Sequence, residues 1–145
     1  MSVQSVYLDT NAIVKRYVME EHTDRVDELY DKAHVGELII GFSTWNIGEL
    51  AGVLDKYERK GVLTNARALF EKFIGETRLL VKLGQLKLIS LSLKVIISAI
   101  SYVFKHGIYI ADAIQLTSAK DFDAFLTYDK KLAHVARIEG LNVIA

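Results

Sequence analysis

Neither cysteine nor proline occurs anywhere in this 145-residue sequence. Without cysteine there is no disulfide framework and no thiolate metal site, which fits a soluble chain in a reducing cytoplasm. The missing proline says little about function. No apolar run approaches the roughly 20 residues that a membrane-spanning helix needs, so no membrane partner is expected. The opening "MSVQSVYLD" has neither a basic head nor a signal-like apolar stretch and reads as a first strand, not a leader. An excess of one charge is also lacking: 18 basic and 18 acidic residues cancel, with histidine neutral. Strong nucleic-acid binders are usually basic, so any phosphate contact must come from a local patch. A cluster of active-site carboxylates would itself subtract from an otherwise basic surface.

What remains is enough for one folded domain, since 51% of the residues are apolar. No repeat, low-complexity tract or linker divides residues 1–145. Residues 3–8 (VQSVYL) read as a strand, 11–19 as a helix and 23–33 as a second helix with Val26, Leu29 and Tyr30 on one side. The continuous apolar run 37–43 (ELIIGFS) reads as a strand buried on both faces. A helix over 44–60 carries Ile47, Leu50, Leu54 and Tyr57, and Gly61 stops it. A longer helix over 63–84 has a stripe through Ala66, Leu69, Phe70, Phe73, Thr77, Leu80 and Val81. The strand 86–91, a helix from about Ser92 to Lys105 closed by His106-Gly107, and a helix over 109–120 follow. A strand (124–128), a helix (129–139) and a last short strand "NVIA" complete the chain. Strands alternating with helices predict an α/β fold, a parallel sheet with helices on both faces and ligands at the carboxyl ends of its strands.

Four acids stand out against this frame. Asp9 and Asp129 each follow an apolar strand and open a helix, so each can be explained as an N-cap. Asp112 falls in the first turn of its helix, where the macrodipole favours negative charge. Glu49 has no such explanation: it lies within the apolar "TWNIGELAGVL" and shares its side of the helix with Trp45, Gly52 and Val53. A carboxylate there is either exposed by the turn of its helix or partly buried, and if buried it calls for a compensating positive charge, either a structural Arg or Lys or a metal ion. Crowded carboxylates repel, and a divalent cation with hard oxygen ligands relieves them. Mg²⁺ or Mn²⁺ suits this donor set, because His22, His34, His106 and His134 show no ligand spacing and read as surface or helix-end residues. Asp121 and Asp123 read as loop residues.

The strings "VYLDTNAIVKRY", "NIGEL", "IYIADAIQLTSA" and "AFLTYDKKLAHVA" occur in this order, each at a strand end or on a helix. Together they resemble the PIN-domain ribonucleases, and among these the small VapC-type toxins of toxin–antitoxin pairs. The resemblance spans the chain and implies a single Rossmann-like, three-layer domain with about five parallel strands and an acidic pocket at their carboxyl ends. It implies that Asp9, Glu49, Asp112 and Asp129 are the catalytic, metal-binding acids for Mg²⁺ or Mn²⁺, with Thr10, Asn11 and Thr127 as polar helpers. Its chemistry is hydrolysis of RNA phosphodiesters by a metal-activated water. Lys15, Arg16, Lys130 and Lys131, close in sequence to the acids, are candidates for holding RNA phosphates, against the alternative of a solvated helix face.

Two other readings fit part of this pattern. A phosphatase with a strand-end aspartate nucleophile requires a second aspartate where Asn11 stands, and has no role for Glu49. A PIN-like module without activity would be expected to lack one of the acids, and none is lacking. The apolar hairpin at 44–84 and the helix 92–105 fit either a homodimer or simple burial within the fold, and the resemblance adds a small antitoxin protein as partner.

Overall fold

The apolar runs pair side by side in one sheet. A computed structural model describes residues 2–145. Its strands are β1 (Ser5–Leu8), β2 (Ile39–Ser43), β3 (Leu86–Ile89), β4 (Ala124–Leu126) and β5 (Val143–Ile144). Its helices are α1 (Thr10–Tyr17), α2 (Thr23–His34), α3 (Thr44–Arg59), α4 (Ala66–Lys82), α5 (Leu93–His106), α6 (Ile110–Ser118) and α7 (Lys130–Ile138). The sheet order is β3-β2-β1-β4-β5, and every neighbouring pair is parallel. This is a single α/β domain, with a five-stranded parallel sheet flanked by helices.

The chain winds outward from β1 to β3, then returns to lay β4 on the other side of β1. The winding therefore reverses between β1 and β4, and the carboxyl ends of those two strands flank a crevice. Open α/β sheets bind ligands at such a point.

Burial on both faces explains the runs. Val6, Tyr7 and Leu8 of β1 and Ala124, Phe125 and Leu126 of β4 are all buried, as helices covering both faces require. Gly41 in β2 leaves room for the Phe122 ring, which packs edge-on against Tyr7 with centroids 5.4 Å apart. A Cβ at Gly41 would collide with that ring and stand 2.7 Å from the Lys87 carbonyl oxygen.

Several boundaries differ from the sequence reading, each for a local reason. α1 ends at Tyr17, because Val18 is extended. α4 begins at Ala66 because the Asn65 side chain accepts from Ala68 N. Its stripe buries Phe73, Thr77 and Leu80 but leaves Val81 43% exposed, one residue too far round the helix. α5 starts behind the Ser92 cap and closes on Gly107 in the left-handed conformation (φ 66°).

Only part of the apolar excess is buried. α5 presents Leu93, Ile97, Ile100 and Phe104 to solvent, with Phe104 85% exposed. Tyr109 and Ile110 extend this patch toward α6. No single helix among the described residues is long and apolar enough to cross a membrane. α5 and α6 reach that composition only as a pair bent by 118°, and α6 is largely core.

An ionic knot ties α1, α2 and α4 together. Arg16 donates through Nε and Nη2 to Glu76 (3.0 and 2.7 Å) and through Nη1 to Asp27 (2.8 Å). Tyr17 donates to Glu76 at 2.7 Å, and His34 Nε2 lies 2.8 Å from the same carboxylate. Burial pushes the Glu76 carboxyl up, but the hydrogen bonds from Arg16, His34 and Tyr17 outweigh it and hold it at about 2. A depressed carboxyl stabilises the fold above its ordinary value of 4.5, and that contribution is lost as pH falls toward 2. Glu76→Ala is expected to lower stability at pH 7 by about 2–3 kcal/mol, because it leaves Arg16 half-paired. Urea titration at pH 7 and pH 3 checks this, since the gap between wild type and variant must shrink at the lower pH.

Candidate active site

The crevice is acidic by construction. Asp9 follows β1, and its backbone N–H donates to Leu126 O of β4 (3.0 Å), which closes the two strand ends together. Glu49 sits in the second turn of α3, the helix after β2. Asp112 lies in the first turn of α6, and Asp129 caps α7 just past β4. All four line one cavity of about 710 Å³. Tertiary structure thus joins acids that lie 120 residues apart along the chain (129 − 9).

Hydrogen bonds hold the acids from below. Asp9 Oδ1 accepts from Thr10 N at 2.7 Å, and Oδ2 accepts from Thr127 Oγ1 at 2.8 Å and Asn11 Nδ2 at 3.2 Å. Asn11 Oδ1 also accepts from Tyr128 N, which stitches the two strand ends together. Thr10 Oγ1 donates to Glu49 Oε1 at 2.7 Å and accepts from Asn46 Nδ2 at 2.8 Å. Asn46 Nδ2 also reaches Gln115 Oε1 (2.9 Å), which accepts from the Tyr7 hydroxyl (2.7 Å). Burial, followed by the nearby Asp9 charge, pushes Tyr7 well above its ordinary value, so this phenol is a neutral donor. A connected polar network of this kind fixes side-chain position.

Electrostatics sets these acids apart from caps alone. Among the described residues none of the four has a Lys, Arg or His ion-pair partner. Glu49, which if buried calls for a positive neighbour, has only the Thr10 hydroxyl within hydrogen-bond reach. Asp9 is 7% exposed. Burial raises its carboxyl to about 7, with Glu49 and Asp112 pushing the same way against the Thr127 and Thr10 hydrogen bonds. Asp112 is raised too, by burial first and then by Asp129 and Glu49, with Lys131 opposing. The two capping acids still cap: Asp129 Oδ1 accepts from Lys131 N and Leu132 N.

No three carboxylates or imidazoles among the described residues are drawn into a ready metal cage. The donor set nonetheless fits a hard divalent cation. It consists of oxygen ligands alone, none of them is ion-paired, and burial, with mutual repulsion behind it, already drives two of its members toward protonation.

The basic candidates part company. Lys15 lines the acid cavity, pairs with Glu20 (3.1 Å) and lies 4.9 Å from the centre of the Tyr128 ring. Lys130 and Lys131 line an adjoining cavity with Asp112 and Asp129. Arg16 is held by Glu76 and Asp27 in the knot between α1, α2 and α4, so its guanidinium is already spoken for. Lys56 and Lys60, on the rim of the acid cavity, were not anticipated, nor was Gln115 on its wall. The one signal for Lys56 and Lys60 was their spacing from Glu49 along α3, at +7 and +11. Gln115 Nε2 is a buried donor without a partner.

Fold and site together define an α/β domain with a carboxylate crevice at its topological switch point. The PIN domain family model matches residues 6–138, and the chain belongs to that family. No curated protein matches the chain in sequence. Among solved structures, VapBC2 from Rickettsia felis, bound to a DNA fragment from its promoter, is similar at 19% identity and a TM-score of 0.61. That alignment covers 97% of this chain and 98% of the other. Mycobacterium tuberculosis VapC20, a sarcin–ricin loop cleaving toxin, is similar at 12% identity and a TM-score of 0.60, over 90% and 94% of the two chains. At these identities the likeness is one of fold.

Proposed function

We propose that this protein is a divalent-metal-dependent endoribonuclease and acts as the toxin of a VapBC-type pair in the cytoplasm. The observation that carries the reading is the crevice of four carboxylates without a single ion-pair partner. The likeness in fold to a toxin that cleaves the sarcin–ricin loop supports it. All four positions hold acids, which favours an active enzyme over a binding module.

Asp9, Glu49 and Asp112 would hold Mg²⁺ or Mn²⁺, and Asp129 completes the negative crevice. When bound, the ion supplies Lewis-acid charge at the phosphodiester and acidifies the attacking water. The protein's own part is positional. Thr10 fixes Glu49, while Asn11 and Thr127 fix Asp9. Asp129 Oδ1 is committed to capping α7, which leaves Oδ2 to orient the water for in-line attack. Lys15, Lys56, Lys60, Lys130 and Lys131 carry the RNA phosphates along the rim.

The decisive test is cleavage of mixed RNA with Mn²⁺ or Mg²⁺ by wild type and Asp112→Asn purified side by side. Metal-dependent cutting by the wild type alone, abolished by EDTA, sustains the reading. Equal behaviour of the two preparations would instead favour a binding module.

Two partners belong to the same proposal: a small antitoxin and a second copy of this chain. The exposed α5 stripe is the dimer surface in this reading, since monomers rarely expose so continuous an apolar patch. Phe104→Glu is therefore expected to turn the dimer into a monomer by light scattering, with helix content unchanged. A wild-type chain that is already monomeric at high concentration would rule this surface out.

A further inference from the structure

One residue next to the crevice combines an unusual backbone with an open ring. His22, at the N-terminal boundary of α2, is the only non-glycine residue with a positive φ among the described residues (69°). It makes no side-chain cap to the helix it precedes. Its ring lies flat on Tyr128, with centroids 4.7 Å apart and planes 10° from parallel. Tyr128 lies between Thr127, which holds Asp9, and the acid Asp129. With one face of the imidazole covered, the side chain is still 49% exposed, so the other face is open to solvent.

This pair lines a cavity of about 680 Å³ with Lys15, Lys130, Arg137 and Asp129. Lys15 and Asp129 also line the acid cavity, so the two adjoin. A polyanion leaving the carboxylates there meets Lys130 and Arg137, and Lys15 in its pair with Glu20, opposed by Glu21 and Asp129. It also meets a flat aromatic surface. Cations that track a backbone beside a ring open on one face are the components of a single-strand binding groove, because every unpaired base offers a π-face. Strained backbone persists where the surroundings hold it, and here it presents a ring.

We propose that His22, backed by Tyr128, is a stacking subsite for an unpaired base of single-stranded RNA, next to the bond to be cut. The subsite rests on the ribonuclease reading above and gives it a substrate feature. The RNA must be unpaired on this side of the crevice, and the preference between bases is weak, since stacking reads no hydrogen-bond pattern.

The test is fluorescence anisotropy in Mn²⁺, in protein carrying Asp112→Asn so that the RNA survives. The probes are a labelled RNA decamer of randomised sequence and its abasic counterpart, which keeps the phosphates and loses every base. The quantity read is the ratio of the two affinities. With His22 present, the decamer should bind tighter than the abasic strand, and His22→Asn should shrink that ratio by about 5-fold or more. Asparagine tolerates the left-handed backbone, so an unchanged melting midpoint is expected. His22→Phe, which restores a flat ring without the imidazole nitrogens, should recover the ratio. An unchanged ratio in His22→Asn, with cleavage by the wild-type enzyme intact, overturns the subsite alone. Absence of both binding and cleavage would sink the ribonuclease reading and the subsite with it.

Discussion

Asp112→Asn is expected to lower metal-dependent RNA cleavage by at least about 100- to 1,000-fold, the loss typical of removing one group that stabilises developing charge. The substitution keeps the shape of the side chain and removes its charge. Asp112 lies half-buried at the start of α6, and burial, Asp129 and Glu49 all push its carboxyl up. The folded protein therefore holds this charge at a disadvantage when no cation is bound. Replacing it with a neutral amide loses at most a favourable helix-dipole contact of about 0.3–1 kcal/mol and relieves repulsion from two neighbours. The variant should melt no lower than wild type in EDTA and yet be inactive in Mn²⁺. That combination separates chemistry from folding. A variant that cuts at the wild-type rate would remove Asp112 from the mechanism.

Asp9→Asn carries the second large effect, and its sign is opposite to that of an ordinary carboxylate substitution. The Asp9 carboxyl is raised from 3.8 to about 7 in the folded protein, by burial above all. Between those values the native state binds more protons than the unfolded state, so stability from this group is full below pH 4. It is lost as pH rises through 7. In EDTA at pH 8, Asp9→Asn should therefore be more stable than wild type, by on the order of 2–3 kcal/mol. That corresponds to a midpoint roughly 5–10 °C higher. The gain falls short of the full linkage term because an amide nitrogen facing Asn11 and Thr127 disturbs two hydrogen bonds. At pH 4, where the Asp9 carboxyl is protonated in wild type, the gain is gone and the variant should melt slightly below wild type, by the cost of those two hydrogen bonds. Mn²⁺ should reverse the ranking at pH 8 by stabilising wild type and leaving the variant where it was. Calorimetry of both proteins at the two pH values, with and without Mn²⁺, gives the comparison. A difference that does not change with pH would mean that Asp9 is not held as a raised, unpaired carboxyl.

Local chemistry was legible where one short stretch carries its own reason. Asp9 after "VYL" and Asp129 after "FLTY" announce a strand end and a helix start, because apolar runs and capping oxygens act within a few residues. Glu49 was legible as an anomaly, since an acid among apolar neighbours on a helix demands an explanation at any tertiary placement. The pairing of Arg16 was illegible for the opposite reason. Its partner Glu76 lies 60 residues away, and no local pattern relates the two. Val81 was counted with the buried stripe of α4, yet periodicity gives the direction of a helix face and not its width. His22 read as an ordinary surface residue, because neither its backbone strain nor its Tyr128 partner is encoded nearby.

By itself, then, the amino-acid sequence determined the alternation of strand and helix, the parallel sheet and the four acids, since periodicity, capping and charge are properties of neighbouring residues. Only the tertiary structure decided that these acids share one crevice and that none of them has an ion-pair partner there among the described residues. It alone assigned Arg16 to a structural knot, placed Lys56, Lys60 and Gln115 on the cavity and stacked His22 on Tyr128. Those outcomes follow from how helices dock across a sheet whose winding reverses beside β1, and contacts between distant segments leave no mark on either segment alone.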